Sequence, residues 1–581
     1  SSRGRNPPGR NSLGLVLALG LLTAPLCAQK EIDPEAEAEA ARLAQEFQSD
    51  KAALHKFLGD YPKGAIRLAK DGLPDHNAIA EVDRVLARVA KWNNLEAAKL
   101  LFRVATVQIK PPGGADTSMA KLDFYAALRV WKVRGLARKH ITKMDGEGIE
   151  DWLLEKARQR FSADTLRNVA TTAGAALRIL ADRKSDKATR IILHATKHLQ
   201  PTVRVQAVNA LSKGATLQTV SNFIELLRDA EPNVRIAALN GIGRALGPHT
   251  DETKNTTFDK EVIKLRDQVI SKITALMGRE WVWQVRAAAR ECLVALRSKV
   301  IIPALIEALK CELRLEKDPW ALDVRLHRTL EGLTGQRMIL GQTHLWEAFW
   351  KKEGRSFAFA PADKDAVAKA IKNNGRYHKF FKIDVESKRL LFILDFSGSM
   401  AQPATLKTMG TSAFSKGTTT TKAKLVVSEM RTMVMALPAD TMFNIVVFSD
   451  DVRIWRAKGK RPALVKLNDD ARDDLLGSFL DSLHPRGLTN LYGALDRAFD
   501  FGGRGLYDKY YQAGFDTIYI LSDGAPTTGK VTDTDEILRL VAETNGLKRI
   551  TINCITFGDK NEMLFMKKLA KQNGGRHVHV E

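Results

Sequence analysis

Asp395, Ser397 and Ser399 are the residues of this chain best placed by type and spacing to do chemistry. They stand at i, i+2 and i+4 in Asp395-Phe-Ser397-Gly-Ser399-Met400, directly after the apolar run Leu390-Leu-Phe-Ile-Leu394. In extended backbone that spacing sets three oxygen-bearing side chains on one side. Carboxylate and hydroxyl oxygens are hard ligands, suited to a small divalent cation. To hold them, the preceding run must be a strand. Being continuously apolar rather than alternating, it reads as a buried central strand of a parallel sheet. Ligand sites in such sheets lie beyond the carboxyl edge, where these residues fall.

The D-x-S-x-S pattern resembles the metal-ion-dependent adhesion site (MIDAS) of von Willebrand factor A (VWA) domains. The resemblance implies a threonine from a second loop and an aspartate after a later strand. Both follow in order: Gly487-Leu-Thr489-Asn490, and Thr517-Ile-Tyr-Ile-Leu-Ser-Asp523-Gly524. Met442-Phe-Asn-Ile-Val-Val-Phe-Ser449 supplies a further buried strand. The implied metal ligands are therefore Asp395, Ser397, Ser399, Thr489 and Asp523. An all-oxygen set without His or Cys suits Mg²⁺, with Mn²⁺ or Ca²⁺ as competitors, and argues against zinc or copper. By the same resemblance the three hydroxyls bind the metal directly or through water, while the two aspartates act largely through water. The cation stays short of negative charge, so an Asp or Glu of a partner protein completes its shell. One position departs: Leu488 stands where many relatives have a second glycine, and a local change in that loop is expected. The Ser/Thr/Gly-rich insertion from Gln402 to Thr421 is expected beside the metal.

The elements that position these residues alternate from Arg389 to Glu581. Strands are expected at 389–395, 442–448, 452–455, 515–522, 549–556 and 576–581. Helices are expected at 421–437, 470–481, 491–501, 533–545 and 560–571. Such alternation makes an α/β doubly wound, Rossmann-like fold, and the resemblance to VWA domains covers all of it, implying a VWA domain at 389–581. Residues 351–388 turn polar and Gly/Pro-broken, a linker in which Phe380-Phe-Lys-Ile-Asp-Val385 reads as an edge strand.

Residues 29–350 read as helix throughout, with periodic segments at Glu35–Phe47, Ala78–Trp92, Leu95–Val107, Leu122–Ala137, Glu150–Ser162 and Thr165–Ala181. Pro201-Thr-Val-Arg204 recurs as Pro232-Asn-Val-Arg235, and a third copy is Gln284-Val-Arg286. Each is followed by a second helix. This paired-helix unit resembles HEAT repeats, which bury their apolar faces only by stacking, so the region is expected to be an all-α, HEAT-like solenoid. Trp346, Phe349 and Trp350 share one helical face and are expected to cap the last repeat.

The whole is thus multi-domain, as 581 residues require. Residues 1–28 have three Arg before an apolar run Leu13–Leu22 and end in Ala28, the layout of a signal peptide cleaved after Ala28. The expectation is an exported protein, secreted, periplasmic or envelope-associated, with no transmembrane span once the leader is removed. Three scattered cysteines remain, Cys292, Cys311 and Cys554, too few for a disulfide framework, and a Cys292–Cys311 bridge stays open. The net charge of +23 favours an anionic surface or polymer as an additional partner, though it is spread along the chain.

Three rival readings compete with adhesion. Gly524-Ala-Pro-Thr-Thr-Gly529-Lys530 matches a phosphate loop, but Val531 offers no hydroxyl to Mg²⁺ and Pro526 removes a cradling N–H. For hydrolysis no general base is placed by sequence; His577 and His579 share a strand face and read first as a polar face. A helical-repeat module followed by a VWA domain also resembles the Ro ribonucleoproteins, which bind small RNAs. The leader argues against nucleic acid as the partner, leaving a non-enzymatic interaction protein.

Overall fold

The structure, a computed structural model, describes residues 34–60, 76–106, 124–161, 169–255, 257–315, 321–359, 378–406, 414–458, 461–501, 514–529, 531–557 and 560–580. The leader read at 1–28 lies outside these residues. The chain divides into two compact units, Ser1–Gly214 and Ala215–Glu581.

In the first unit the described residues form helices α1 (Pro34–Asp60), α2 (His76–Lys91), α3 (Leu95–Ala105), α4 (Phe124–Lys143), α5 (Ile149–Arg158), α6 (Val169–Arg183), α7 (Asp186–Ala195) and α8 (Pro201–Lys213). Their starts are written in the chain. Asn94 accepts from Ala97 N–H at 2.8 Å and Ser185 from Ala188 N–H at 3.0 Å, satisfying donors that a helix start leaves open. Pro201 opens α8 at a position where its missing N–H costs nothing. α6 packs on α8 through buried Leu177, Leu180, Val203 and Val208.

The second unit begins with α9 (Val220–Leu226), α10 (Pro232–Thr250), α11 (Lys260–Met277), α12 (Trp283–Leu296), α13 (Ile301–Arg314), α14 (Leu322–Thr334) and α15 (Thr343–Glu353). The recurring Val-Arg has a physical reason. Arg235 Nη1 donates to the Asp229 and Ala230 carbonyls at 2.7 and 3.2 Å, and Arg286 Nη1 to those of Glu280 and Trp281 at 3.0 and 3.1 Å. Within the first unit Arg204 makes the same pair of bonds to His198 and Leu199. Each arginine thus satisfies carbonyls of the turn before its own helix. Arg235 and Arg286 also reach the acids Glu280 and Glu312, both pairs buried. Of the three aromatics on α15 only Trp346 is fully buried, donating to His327 Nδ1 at 3.4 Å as α15 packs on α13. Trp350 is partly exposed and meets Phe357 edge-on at 5.7 Å.

The remaining elements are β1 (Lys379–Phe380), β2 (Ile383–Asp384), β3 (Arg389–Asp395), β4 (Pro403–Thr405), β5 (Thr419–Thr421), α16 (Lys422–Ala436), β6 (Met442–Phe448), β7 (Val452–Ile454), β8 (Ala457–Lys458), β9 (Arg461–Pro462), β10 (Val465–Lys466), α17 (Asp469–Asp474), α18 (Leu491–Phe501), β11 (Thr517–Ser522), α19 (Thr534–Lys548), β12 (Thr551–Phe557), α20 (Lys560–Gln572) and β13 (His577–Val580). The main sheet runs β10-β6-β3-β11-β12-β13, with β7 also on β6. The pairs β6–β3, β3–β11, β11–β12 and β12–β13 are parallel. The chain leaves β3 toward β6 on one side and returns to β11 on the other. The switch point therefore lies between β3 and β11, and crevices for ligands open there.

Three expectations of local structure differ. Asp395, Ser397 and Ser399 do not share one extended run: the strand ends at Asp395, and a 3₁₀ turn over Gly398–Ala401 carries Ser399 to 3.1 Å from the Ser397 hydroxyl. Residues 380–385 are not an edge of this sheet: β1 and β2 pair only with each other, around Phe381 and Lys382 at φ 46° and 65°. Two successive left-handed residues make a tight hairpin turn. It drives Phe380 and Phe381 into the core, against Phe392 and Phe557. The helix expected over 470–481 is α-helical only to Asp474, then widens into a π turn over Leu475–Phe479. Cys292, Cys311 and Cys554 are free thiols, so the bridge left open is not made. Among the described residues no helix is long and apolar enough to cross a membrane.

Candidate functional site

β3 carries Asp395 to the carboxyl edge of the sheet and leaves it fully buried. Ser397 N–H turns back to Asp395 Oδ1 at 2.8 Å, which folds the D-x-S segment tightly over the strand end. Ser522, last residue of the neighbouring β11, donates its hydroxyl to Asp395 Oδ2 at 2.6 Å. The Ser397 and Ser399 hydroxyls lie 3.1 Å apart, and Ser399 Oγ donates to Asp523 Oδ1 at 2.7 Å. Four of the five expected residues therefore form one hydrogen-bonded string.

The loop bearing the fifth, Thr489, is laced to this string through backbone. Gly398 N–H donates to Gly487 O and Arg486 N–H to Phe396 O, each at 2.9 Å. On its other side Thr489 N–H donates to Thr527 Oγ1 at 2.9 Å, and Thr527 N–H returns to Thr489 O at 3.0 Å. The Gly524–Lys530 segment, read above against a phosphate loop, thus splints the threonine loop; Lys530 itself lies outside the described residues. Gly487 is required where it stands. Its φ is +66°, and a Cβ there would lie 1.7 Å from Asp450 Oδ2. Leu488, the departure from the family pattern, points outward at 53 % exposure while its N–H is held by Asp450 Oδ1 at 2.8 Å. Backbone bonds on both sides of Leu488, indifferent to its side chain, hold the loop.

Burial pushes the Asp395 carboxyl up to about 6, against the Ser522 and Ser397 hydrogen bonds that hold it down, with Asp523 adding to the rise. Among the described residues Asp395 has no ion pair. Asp523 has one: Lys422 Nζ lies 2.7 Å from Oδ2, the two side chains 8 % and 0 % exposed. The same ammonium donates to Gln402 Oε1 at 3.1 Å. Lys422 thus joins the first turn of α16 to both ends of the insertion and to the site. The insertion is partly a hairpin, β4 against β5, with residues 407–413 outside the described set.

Two buried carboxylates, three hydroxyls and a single ammonium leave the site one negative charge in excess. A hard divalent cation fits that donor set. The five expected residues would hold it, and Lys422 would moderate the field of Asp523. Among the described residues no group of three His, Cys, Asp or Glu side chains gathers anywhere; this site has two such side chains and would rely on hydroxyls for the rest. His577 and His579 both reach Thr556 Oγ1, at 2.9 and 3.0 Å, as a polar strand face.

The family model described as von Willebrand factor type A domain matches residues 411–578. This chain contains a VWA domain. The match takes in Thr489 and Asp523 and begins after the D-x-S-x-S segment, which the sheet order nonetheless places on the central strand of the same VWA fold. Among curated proteins, human inter-alpha-trypsin inhibitor heavy chain H2 is 27% identical over 209 residues, 35% of this chain and 19% of that protein. Human heavy chain H6 is 27% identical over 195 residues, 32% of this chain and 13% of its own length. The chain therefore spans less than a fifth of the length of these relatives. Among solved structures, a von Willebrand factor type A protein from Catenulispora acidiphila aligns over 33% of this chain and 38% of its own, at 14% identity and a TM-score of 0.25. The PilB minor pilin from Streptococcus sanguinis aligns over 33% of this chain and 56% of its own, at 14% identity and a TM-score of 0.23.

Sequence reasoning found the five ligand candidates of the VWA domain and missed their supports. Ser522 was hidden in a strand reading, Thr527 in a discarded motif, and Asp450 in a loop. Lys422 had one available signal: a lysine directly after Thr421, at a helix start, where the dipole disfavours positive charge.

Proposed function

We propose that this chain is a non-enzymatic interaction protein whose VWA domain binds a divalent cation, Mg²⁺ foremost, through Asp395, Ser397, Ser399, Thr489 and Asp523. The cation, when bound, supplies Lewis acidity toward a carboxylate of a partner protein. The chain's own residues do the rest. Asp395 and Asp523 supply negative charge and accept hydrogen bonds that orient the hydroxyls, and the Gly487–Thr489 loop holds the third hydroxyl in register. Leu488, exposed beside Thr489, offers apolar contact to whatever approaches. Relatives named as inhibitor heavy chains support a binding rather than a catalytic role. In this reading residues 29–350 are a HEAT-like scaffold, 351–388 a linker, and export follows from the leader at 1–28.

The observation that carries the proposal is Asp395: a fully buried carboxylate at the sheet switch point, hydrogen-bonded to two serines, with no cationic side chain upon it among the described residues. Burying a charge without a counter-ion is costly; two hydrogen bonds offset part of the cost and protonation relieves it below about pH 6, so above that pH a metal ion is the compensation this donor set invites. Mg²⁺ titration by calorimetry tests this. The wild-type chain should bind one ion, and Asp395→Ala should lose binding while keeping the far-ultraviolet dichroism of the wild type. Equal Mg²⁺ affinity in the two would overturn it. Capture of a partner from envelope extract should fail with EDTA and return with Mg²⁺.

A further inference from the structure

At the opposite end of the second unit a cavity of about 550 Å³ opens between α12 and α14 and the amino-terminal ends of β11 and β12. Its charges are unequal. Arg290, Arg325, Arg328, Arg549, Lys571 and Arg576 line it, against Glu291, Asp384 and Glu386. The acids are unevenly shared. Asp384 and Glu386 both pair with Arg328 and Arg576. On the other side Arg290 and Arg549 share one carboxylate, that of Glu291, with Arg290 at 3.4 Å. Arg325 reaches the Asp516 carboxylate only at 4.0 Å and spends its donors on the Asp516 and Arg549 carbonyls. Lys571 is exposed at the rim.

The guanidiniums of Arg290 and Arg549 each keep a buried Nε–H without an acceptor. Burial lowers the Arg290 pKa, and the charges of Arg325 and Arg549 lower it further. The lining thus gathers six cationic side chains against three acids, with Glu331 and Asp516 behind it as further partners of Arg328 and Arg325, and the remaining positive excess favours an added anion. The three arginines come from α12, α14 and the turn before β12. Their bonded donors go to Thr329, Glu291, Asn240 and the Asp516 and Arg549 carbonyls, so what they offer a ligand is clustered positive charge, which suits a multiply charged phosphoryl group better than a single carboxylate, and the volume is that of a small-molecule site.

We infer that this cavity is a binding site for a small phosphate-bearing polyanion, separate from the metal site at the carboxyl edge. Inorganic pyrophosphate is the probe. It is titrated into the full-length chain at fixed ionic strength, with EDTA present so that no metal occupies the Asp395 site. The expected result is saturable binding at one site per chain together with a raised melting temperature. Asp395→Ala should leave the affinity unchanged. Lys571→Glu, an exposed change that leaves the core intact, should weaken binding about tenfold, and Arg290→Gln by at least as much. Absence of saturable binding would overturn the inference, as would equal affinity in the wild type and Lys571→Glu, which would place the anion on the basic surface at large. Citrate binding as tightly as pyrophosphate would refute the phosphoryl preference.

Discussion

Lys422→Met gives the sharpest test of how the site is charged. The wild-type ammonium lies 2.7 Å from Asp523 with both side chains buried, so its removal leaves a carboxylate without a counter-charge. Breaking a buried pair by deleting one partner costs about 3–5 kcal/mol, most of it the penalty on the group left behind. Methionine nearly conserves the volume, so little of the loss arises from packing. Without metal the variant should therefore unfold at markedly lower denaturant than the wild type. Adding Mg²⁺ should return part of the deficit, because the stranded carboxylate now favours a cation. With the competing positive charge gone, Mg²⁺ should bind at least tenfold more tightly. That corresponds to about 1.4 kcal/mol, which should reappear as a smaller stability gap at saturating Mg²⁺ than in EDTA. Denaturant unfolding of both proteins, with Mg²⁺ and with EDTA, reads all of these quantities. A gap equal in the two conditions, with unchanged Mg²⁺ affinity, would refute the reasoning and make Lys422 a structural residue only.

Further outcomes follow from other positions. Arg286→Ala strips Glu312 of a partner at 2.6 Å, the two side chains 2 % and 4 % exposed, and should cost about 3–5 kcal/mol in denaturant unfolding; Arg286→Met combined with Glu312→Leu should recover much of it. Gly487→Ala places a Cβ against Asp450 at φ +66° and should weaken Mg²⁺ binding in calorimetry, with about 1–3 kcal/mol of strain read in melting. For His577, burial lowers the imidazole to about 4, with His579 adding to the fall, from an ordinary value of 6.5. The neutral form is favoured on folding, so its contribution is complete above about pH 6.5 and is lost as pH falls toward 4. Discounted for a half-exposed ring, the loss is about 1–2 kcal/mol, and His577→Gln should flatten that segment of the stability profile.

The parts legible in the sequence were those whose cause is local. Asp395, Ser397 and Ser399 announce themselves by type and close spacing after an apolar run, although a 3₁₀ turn rather than extended backbone brings Ser399 to the others, and β3, β6 and β11 because burial on both faces makes them mostly apolar. The Val-Arg repeat was readable since each arginine bonds five and six residues back in its own chain. What escaped depends on contacts across long separations. Nothing near Lys422 marks Asp523, 101 residues on, as its partner. Phe380-Phe-Lys-Ile looked extended because no glycine or asparagine signals a turn, yet Phe381 and Lys382 adopt left-handed backbone to deliver two rings to the core. The compact units were equally hidden. Arg325 on α14 bonds the Asp516 and Arg549 carbonyls and Arg549 pairs with Glu291 on α12, so helices of the second unit meet the amino-terminal end of the sheet through residues no local pattern marks.

The hairpin after the serine motif is sutured at its base. β4 and β5 pair from Pro403–Thr421 to Thr405–Thr419, and Lys422 N–H closes on Gln402 O at 3.1 Å. Because those bonds join Gln402 to Lys422, the serine motif and the helix that carries Lys422 are stitched into one piece, and a peptide grafted above Thr405 and Thr419 would start from a fixed stem.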